Sequence, residues 1–228
     1  MRIGLYLKGF MTYGGLALRG KALALLLVAT PALAEPLTIA AFGDSLTQGY
    51  GLIEQEGFVP QLRLWLAEHG DELGTEVTVI NAGVSGDTTA GGLARVDWTL
   101  TPDVGAMIVA LGGNDLLRGI DPAQSRANMR GILQAAQAHG VQVLLIGMQA
   151  PGNYGPAYKA EFDAIWPELS AEFDTLYVDS FFAGLGGADP AGLRDLFQAD
   201  GIHPNAEGVR RIVAALGPEV QALIKKTR

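Results

Sequence analysis

Short apolar runs alternate with longer amphipathic stretches along most of the chain. The apolar runs predict five β-strands, near residues 37–42, 77–81, 106–111, 141–147 and 175–178. The amphipathic stretches predict helices near residues 57–68, 89–100, 122–138, 158–173 and 205–224. Strands that alternate with helices pair in parallel through right-handed crossovers. We therefore expect an α/β fold with three αβα layers around a doubly wound, five-stranded parallel sheet.

The first 34 residues have a different pattern from the rest. They contain four basic residues and no acidic residue, followed by an apolar run at 22–29 and the small-residue sequence Ala32-Leu33-Ala34. This pattern is typical of a cleaved signal peptide, and its apolar run is far shorter than the roughly 20 residues of a membrane span. Translation from Met1 or from Met11 leaves the same cleavage point. We expect a signal peptide at 1–34 and one domain at 35–228, periplasmic or secreted, without a stable membrane anchor.

Removal of that segment makes the chain strongly acidic. It leaves 12 Lys and Arg against 24 Asp and Glu, a formal charge of −12, which argues against nucleic acid as a partner. The chain has no cysteine, so neither disulfides nor a lipidated cysteine are expected. The remaining length suits a single domain with a substantial core, and we expect a monomer.

A candidate nucleophile follows the first predicted strand. Ser45 lies in Gly43-Asp44-Ser45-Leu46, on a strand-to-helix loop, and such loops form the ligand-binding edge of an α/β sheet. Near the other end of the chain, Asp200-Gly201-Ile202-His203-Pro204 supplies a carboxylate and an imidazole three residues apart. A serine hydroxyl needs an imidazole to accept its proton and a carboxylate to hold that imidazole. We therefore interpret Ser45, His203 and Asp200 as nucleophile, base and orienting acid.

The two other histidines have a simpler explanation. His69 and His139 each precede a glycine at the end of a predicted helix, where the ring interacts with the last carbonyls and the glycine takes a left-handed cap. Asp179 and Asp195 stay open as substitutes for Asp200, although neither has a histidine within one turn.

Acyl transfer also needs donors for a developing oxyanion. We assign this function to the backbone N–H of Ser45, the backbone N–H of Gly83 and the side-chain amide of Asn114. Each of these residues alone is equally well explained as a helix cap or a turn residue; their joint occurrence on loops at one edge of the sheet favours the catalytic interpretation. Four polar residues of the same loops are interpreted as braces: Asp44, Ser85, Asp87 and Asp115.

These segments together resemble a known family. Gly43-Asp44-Ser45-Leu46, the 81–86 loop, Gly112-Gly113-Asn114-Asp115 and Asp200 to Pro204 resemble, in order, the blocks of the GDSL or SGNH hydrolases. The Gly-x-Ser-x-Gly elbow of α/β-hydrolases is absent, because Thr47 replaces its second glycine. Asn153-Tyr154-Gly155 increases the similarity to periplasmic thioesterase and lysophospholipase members. The resemblance implies the flavodoxin-like SGNH hydrolase fold and the same roles for Ser45, Gly83, Asn114, Asp200 and His203.

The resemblance implies hydrolysis of acyl esters, and of thioesters, through an acyl-enzyme on Ser45. The substrate is then a small acyl ester or thioester, held by apolar walls from residues 149–166 that include Pro151, Tyr154 and Trp166. No metal and no cofactor are expected, because the three histidines are scattered and cysteine is absent. Core packing is an equally good explanation for Trp166.

Two other functions stay open at this point. A carbohydrate O-deacetylase would use the same chemistry with a different pocket, although aromatic residues for sugar stacking make up only 7% of the chain. A non-catalytic, flavodoxin-like binding module would also carry a glycine-bearing loop after its first strand. That loop here has Asp44 and no basic residue, which argues against a phosphate site.

Overall fold

A computed structural model describes residues 36–70, 74–186 and 190–228, without the side chains of 190–192. The proposed signal peptide therefore lies outside the described residues. The strands are β1 Leu37–Gly43, β2 Val77–Gly83, β3 Val104–Ala110, β4 Gln142–Ile146 and β5 Leu176–Val178. The α-helices of the described part are α1 Ser45–Gln48, α2 Phe58–His69, α3 Thr89–Thr99, α4 Gly113–Leu117, α5 Pro122–Ala138, α6 Pro156–Asp163, α7 Ile165–Phe173 and α8 Ala206–Lys226.

The five strands are parallel and lie in the order β2-β1-β3-β4-β5. The connection from β1 to β2 runs in one direction across the sheet, and the later connections run in the other. Because parallel crossovers are right-handed, this reversal places helices on both faces. The expected three-layer, doubly wound fold is confirmed. The ends of β1 and β3 flank the point of reversal, where open α/β sheets bind ligands.

Neighbouring residues of the central strands face two different hydrophobic cores. In β1, Ile39 and Ala41 belong to the core that includes residues of α2 and α8, whereas Ala40 and Phe42 belong to the core with α3, α5 and α7. All four side chains are completely buried. Burial on both faces explains why the sequence shows continuous apolar runs instead of alternation.

One of the predicted helices is wrong. The stretch 158–173, expected as a single helix, forms α6 and α7, which meet at Ala164. Pro167 has no N–H to donate to the carbonyl of Asp163, and its ring excludes that carbonyl from a continuous helix. The Asp163 carboxylate accepts the N–H of Ala150 at 2.7 Å and binds Lys159 at 2.6 Å. The helix break thus coincides with an anchor for the loop after β4.

The last helix, α8, begins directly after the loop that contains His203. Asn205 caps it, accepting the N–H of Gly208 at 3.0 Å, and donates its own amide to the carbonyl of Asp195 at 2.8 Å. The buried face of α8 packs against α2 and so fixes the end of the His203 loop. In the described ranges, no helix combines the length and apolarity needed to cross a bilayer.

Candidate active site

Ser45, His203 and Asp200 form a continuous line of hydrogen bonds at the carboxyl edge of the sheet. Ser45 Oγ lies 2.9 Å from His203 Nε2, and His203 Nδ1 lies 2.6 Å from Asp200 Oδ2. With the carboxylate accepting the Nδ1 proton, Nε2 is left to accept the proton of the serine hydroxyl. The structure therefore brings together three side chains from opposite ends of the sequence, as the sequence analysis expected.

A short helix places Ser45 at this edge. Asp44 caps α1, its Oδ1 accepting the N–H of Leu46 at 3.0 Å, and Gly49 ends the helix in a left-handed conformation. The N–H of Gly49 donates to the carbonyl of Ser45 at 3.0 Å. The N–H of Ser45 itself has no hydrogen-bond partner among the described residues. Ser45 therefore offers both a hydroxyl and a free backbone donor at the edge of the sheet.

The Asp200 carboxylate is held by its own loop. Its Oδ1 accepts the N–H groups of Ile202 at 2.9 Å and His203 at 3.0 Å. Gly201, between Asp200 and Ile202, takes the positive φ of this turn. The backbone and side-chain bonds from His203, with that from Ile202, lower the pKa of Asp200 to about 2. Asp200 is therefore an ionised acceptor throughout the neutral range.

The alternative residues lie elsewhere. His69 Nδ1 lies 2.8 Å from the carbonyl of Trp65, as expected for a helix end. Gly140 takes the expected left-handed conformation. The same prediction is wrong for Gly70, whose φ of −91° continues the right-handed turn. In the described part of the chain, neither the Asp179 nor the Asp195 carboxylate contacts His203.

The expectation for Gly83 is corrected by the structure. Its N–H donates to Asn81 Oδ1 at 3.0 Å and is therefore already occupied. A Cβ at Gly83 would collide with the backbone of Gln48 and Asp44, so this glycine allows α1 to lie close to β2. Gly86, three residues later, lines the cavity beside Ser45, and its N–H has no partner among the described residues. Gly86 therefore offers a free backbone donor at the cavity, whereas Gly83 does not.

Asn114 enters the site from the end of β3. Gly112, with φ of +114°, turns the chain into α4, which carries Asn114 in its first turn. The side-chain Nδ2 donates to Asp44 Oδ2 at 3.3 Å, so one amide hydrogen faces Asp44. Asn114 also lines the cavity, leaving the second hydrogen of the amide for a bound molecule.

The other polar loop residues make bracing contacts. Asp115 is completely buried and accepts the backbone N–H of Thr89 at 2.8 Å and the hydroxyl of Ser125 at 2.8 Å. These bonds join α4, which follows β3, to the starts of α3 and α5. Asp87 pairs with Arg95 at 2.7 Å, and Arg95 also donates to the carbonyl of Gly43 at the end of β1. The loops around Ser45 are therefore tied to one another below the site.

A cavity of about 550 Å³ opens beside Ser45 and His203. This volume lies within the usual range for small-molecule sites. Most of its wall is apolar, and its polar lining includes Ser45, Ser85, Asn114 and His203. The apolar wall consists of Leu46, Leu116, Leu117, Met148, Pro151, Phe182, Phe197 and Ile202.

A known protein family matches the part of the chain that forms this site. The model of the GDSL-like lipase/acylhydrolase family matches residues 41–211, most of the chain and all of the segments above. The chain belongs to this family.

Named relatives agree with the family match. Esterase TesA of Pseudomonas aeruginosa is 39% identical over 203 residues, 89% of this acylhydrolase and 96% of that protein. Thioesterase 1/protease 1/lysophospholipase L1 of Escherichia coli K12 is 35% identical over 188 residues, 82% and 85% of the two chains. The crystal structure of AlinE4, an SGNH-hydrolase family esterase, is 43% identical with a TM-score of 0.66, covering 83% of this chain and 97% of that one. The protein is an ester-bond hydrolase, which excludes the non-catalytic binding module.

The family's serine motif contains a second carboxylate with an unusual environment. Asp44 of this acylhydrolase is 3% exposed, and burial raises its pKa to about 6. The hydrogen bonds from Leu46 and Asn114 oppose this increase without cancelling it. Asp44, next to the serine, thus changes its charge near pH 6.

Two predicted substrate contacts lie outside the cavity. Tyr154 is half-exposed, its hydroxyl lies 3.4 Å from the carbonyl of Leu117, and it is not among the described residues that line the cavity. Trp166 is completely buried in the core, where it packs edge-on against Phe162. Of the three expected wall residues, Pro151 alone lines the cavity.

Sequence reasoning missed several lining residues from separate segments: Tyr50, Met148, Phe182, Phe197 and Ile202. Their apolar side chains carry no local signal that separates a cavity wall from a core. Only the fold brings these distant segments together. Gly86 had a local signal, since glycine after serine is typical of a turn that needs a positive φ, and Gly86 has φ of +81°.

Proposed function

We propose that the protein hydrolyses acyl esters and thioesters through a Ser45–His203–Asp200 triad. Ser45 Oγ attacks the carbonyl carbon while His203 Nε2 takes its proton, and the same imidazole then protonates the leaving alcohol or thiol. Water, deprotonated by His203, next releases the acid from Ser45. The main support for this proposal is the pair of hydrogen bonds from Ser45 to His203 at 2.9 Å and from His203 to Asp200 at 2.6 Å, beside an apolar cavity.

Three donors form the proposed oxyanion hole. They are the N–H of Ser45, the N–H of Gly86 and the side-chain amide of Asn114, which line the cavity together. Both backbone groups lack other hydrogen-bond partners among the described residues. Donors fixed in place before the reaction stabilise the charge of the tetrahedral intermediate more than mobile water does.

The substrate class follows from the cavity wall. Leucine, methionine and phenylalanine side chains dominate it and suit the hydrocarbon part of an acyl group. The names of the relatives, esterase and thioesterase 1/lysophospholipase L1, support the same chemistry for esters, thioesters and lysophospholipids. A sugar O-deacetylase of this family needs polar walls for hydroxyl groups, and the described wall offers few of them.

Export and a monomeric state are part of the proposal. Residues 1–34 have the composition of a signal peptide, which would place the mature domain, residues 35–228, in the periplasm or outside the cell. We expect the mature protein to begin at Glu35 and to elute as one copy in size-exclusion chromatography.

The S45A variant tests the triad. A fluorophosphonate probe should label the wild-type protein and leave S45A unlabelled, because the probe reacts with an activated serine. A panel of nitrophenyl esters, an acyl-CoA, a lysophospholipid and an acetylated sugar then ranks the substrates. S85A is the matched control, since Ser85 also lines the cavity but donates its hydroxyl to Gln48. Labelling of S45A, or its loss in S85A, would contradict the proposal.

A further inference from the structure

Arg118 contacts both loops that carry the proposed oxyanion donors. Its backbone N–H, at the end of α4, donates to the carbonyl of Asn114 at 3.2 Å. Its guanidinium Nη2 donates to the carbonyl of Gly86 at 2.8 Å. In the described part of the chain, no other residue forms hydrogen bonds with both of these residues.

Arg118 adds a contact to the Gly86 loop, which Ser85 also joins to Gln48 at 3.0 Å and Asp87 joins to Arg95 at 2.7 Å. The loop is a tight turn in which the N–H of Asp87 donates to the carbonyl of Val84 at 3.1 Å. Gly86 has φ of +81° in this turn, and its carbonyl accepts no other hydrogen bond among the described residues. The bonds from Asp87 and from Arg118 hold the two polar groups of the Gly86–Asp87 peptide. Because glycine has the widest conformational freedom of any residue, the direction of the Gly86 N–H depends on where that peptide is held.

The Arg118 side chain is available for this function. It is exposed, and it forms no ion pair with a described carboxylate. Its neighbour Leu117 lines the cavity, so the arginine lies at the rim of the site. A guanidinium presents its N–H groups in a rigid plane and therefore fixes the direction of the carbonyl that it binds.

We propose that Arg118 is a positioning residue of the oxyanion hole, which holds the Gly86 N–H at a fixed separation from the Asn114 amide. This inference rests on the proposed function of Gly86 and Asn114. Arg118 touches no reacting atom: it binds the carbonyl of Gly86 and acts on the Gly86 N–H through the backbone of that residue. Its side chain matters most in the transition state, when negative charge develops on the substrate oxygen.

The size of the effect can be bounded. Removal of a whole oxyanion donor lowers kcat by about 10²–10³ in other hydrolases. Loss of Arg118 displaces one donor and leaves it present, so we expect kcat to fall about tenfold. KM should stay within about twofold, because the ground-state carbonyl gains little from the hole.

The experiment compares R118M, R118K and R130M. R118M keeps the apolar stem and loses the donor, whereas R118K keeps a charged donor and should recover part of kcat. R130M makes the same change on α5. Arg130 does not line the cavity and pairs with Glu172 at 2.8 Å, so this variant should keep full activity. The readouts are kcat and KM on a nitrophenyl ester and on an acyl-CoA, the fluorophosphonate labelling rate, and the unfolding midpoint.

We expect kcat and the labelling rate to fall together for R118M on both substrates, with an unchanged unfolding midpoint. Unchanged kcat would overturn the inference. A higher KM for acyl-CoA alone would also overturn it, because that result would assign Arg118 to the phosphates of the leaving group. If R118M lowers the unfolding midpoint, the kcat of R118M is compared with that of R118K, which keeps a donor at the same position. Equal kcat for these two variants would then overturn the inference. Activity that survives in S45A would instead refute the triad itself.

Discussion

Two aspartates flank the proposed reaction centre, and their surroundings change their pKa values in opposite directions. Asp44 is buried under the serine, and burial raises its pKa to about 6. Asp200 lies on an open loop, where hydrogen bonds from His203 and Ile202 lower its pKa to about 2. The same side chain is therefore a fixed anion at one position and a titrating group at the other.

The pKa of a carboxylate decides whether it can orient a base. An orienting acid must stay ionised to stabilise the imidazolium that forms during the reaction, and Asp200 meets this requirement through donated N–H groups and not through burial. Asp44 caps α1 and contacts Asn114. We interpret it as a group that arranges the serine loop. Variants at the two positions should therefore fail in different ways.

The largest expected effect is that of D200N on turnover. The amide presents an N–H to His203 Nδ1 and favours the wrong tautomer of the ring, so kcat should fall by about 10³–10⁴. The variant should still fold, because the amide oxygen can accept the N–H groups of Ile202 and His203. Steady-state kinetics on a nitrophenyl ester, with circular dichroism, measure both properties.

D195N and D179N are the matched controls for D200N. Both make the same chemical change at carboxylates that do not contact His203 among the described residues. Both should keep kcat within about twofold. A large loss in either variant, together with an active D200N, would transfer the orienting function to that residue.

An intermediate effect is expected in the pH dependence of stability. The raised pKa of Asp44 means that the folded state holds a proton that the unfolded state has released, so stability falls as pH rises from about 4 to 6. D44N keeps the helix cap through its amide oxygen and removes this slope, so its stability relative to the wild type should rise by up to about 3 kcal/mol between pH 4 and pH 6. For Asp200 the sign is reversed: its contribution is present above about pH 4 and is lost as pH falls through about 2.

Denaturant unfolding at pH 3, 4, 5, 6 and 7 measures these slopes. D97N, at an exposed position of α3, is the control and should follow the wild-type curve. If D44N and the wild type keep a constant difference over pH 4–6, Asp44 does not titrate in that range. The contrast between the two aspartates would then be wrong.

The hydrophobic pattern predicted the strands to within about two residues. It also predicted that Ser45, Asp200 and His203 lie at one edge of the sheet. These predictions succeeded because buried parallel strands are continuous apolar runs and because strand ends share an edge. The family and the enzyme class are confirmed. The break at Ala164 was missed although Pro167 signals it locally, because the apolar spacing on both sides continues the helical pattern.

Other parts of the site could not be derived from local patterns. Gly83 ends β2 and Gly86 lies in the loop that follows, and only the packing of α1 on β2 distinguishes the glycine needed for that packing from the glycine at the cavity. Phe182 and Phe197 come from an irregular segment, so their position in the wall depends on where that segment folds back. Long-range placement of this kind has no periodic signal in the sequence.

The smallest expected effect tests how the exposed aspartate and its histidine are kept in place. The Tyr50 ring lies 4.7 Å from the His203 ring, and the side chain is half-exposed. Y50A should lower kcat about two- to fivefold, which corresponds to about 0.5–1 kcal/mol, the lower part of the range for an aromatic contact. The side-chain amide of Gln198 donates to the backbone carbonyl of Tyr50 at 2.8 Å, so the loop should stay in place without the ring.

Y50F is the control for this last variant. It keeps the ring and loses a hydroxyl that makes no hydrogen bond among the described residues, so it should match the wild type. Equal loss in Y50F and Y50A would assign the effect to the hydroxyl. No loss in Y50A would mean that the bonds from Asp200 suffice to hold His203. In that case the exposed Asp200 would orient the base without help from packing, whereas the raised pKa of Asp44 depends on burial.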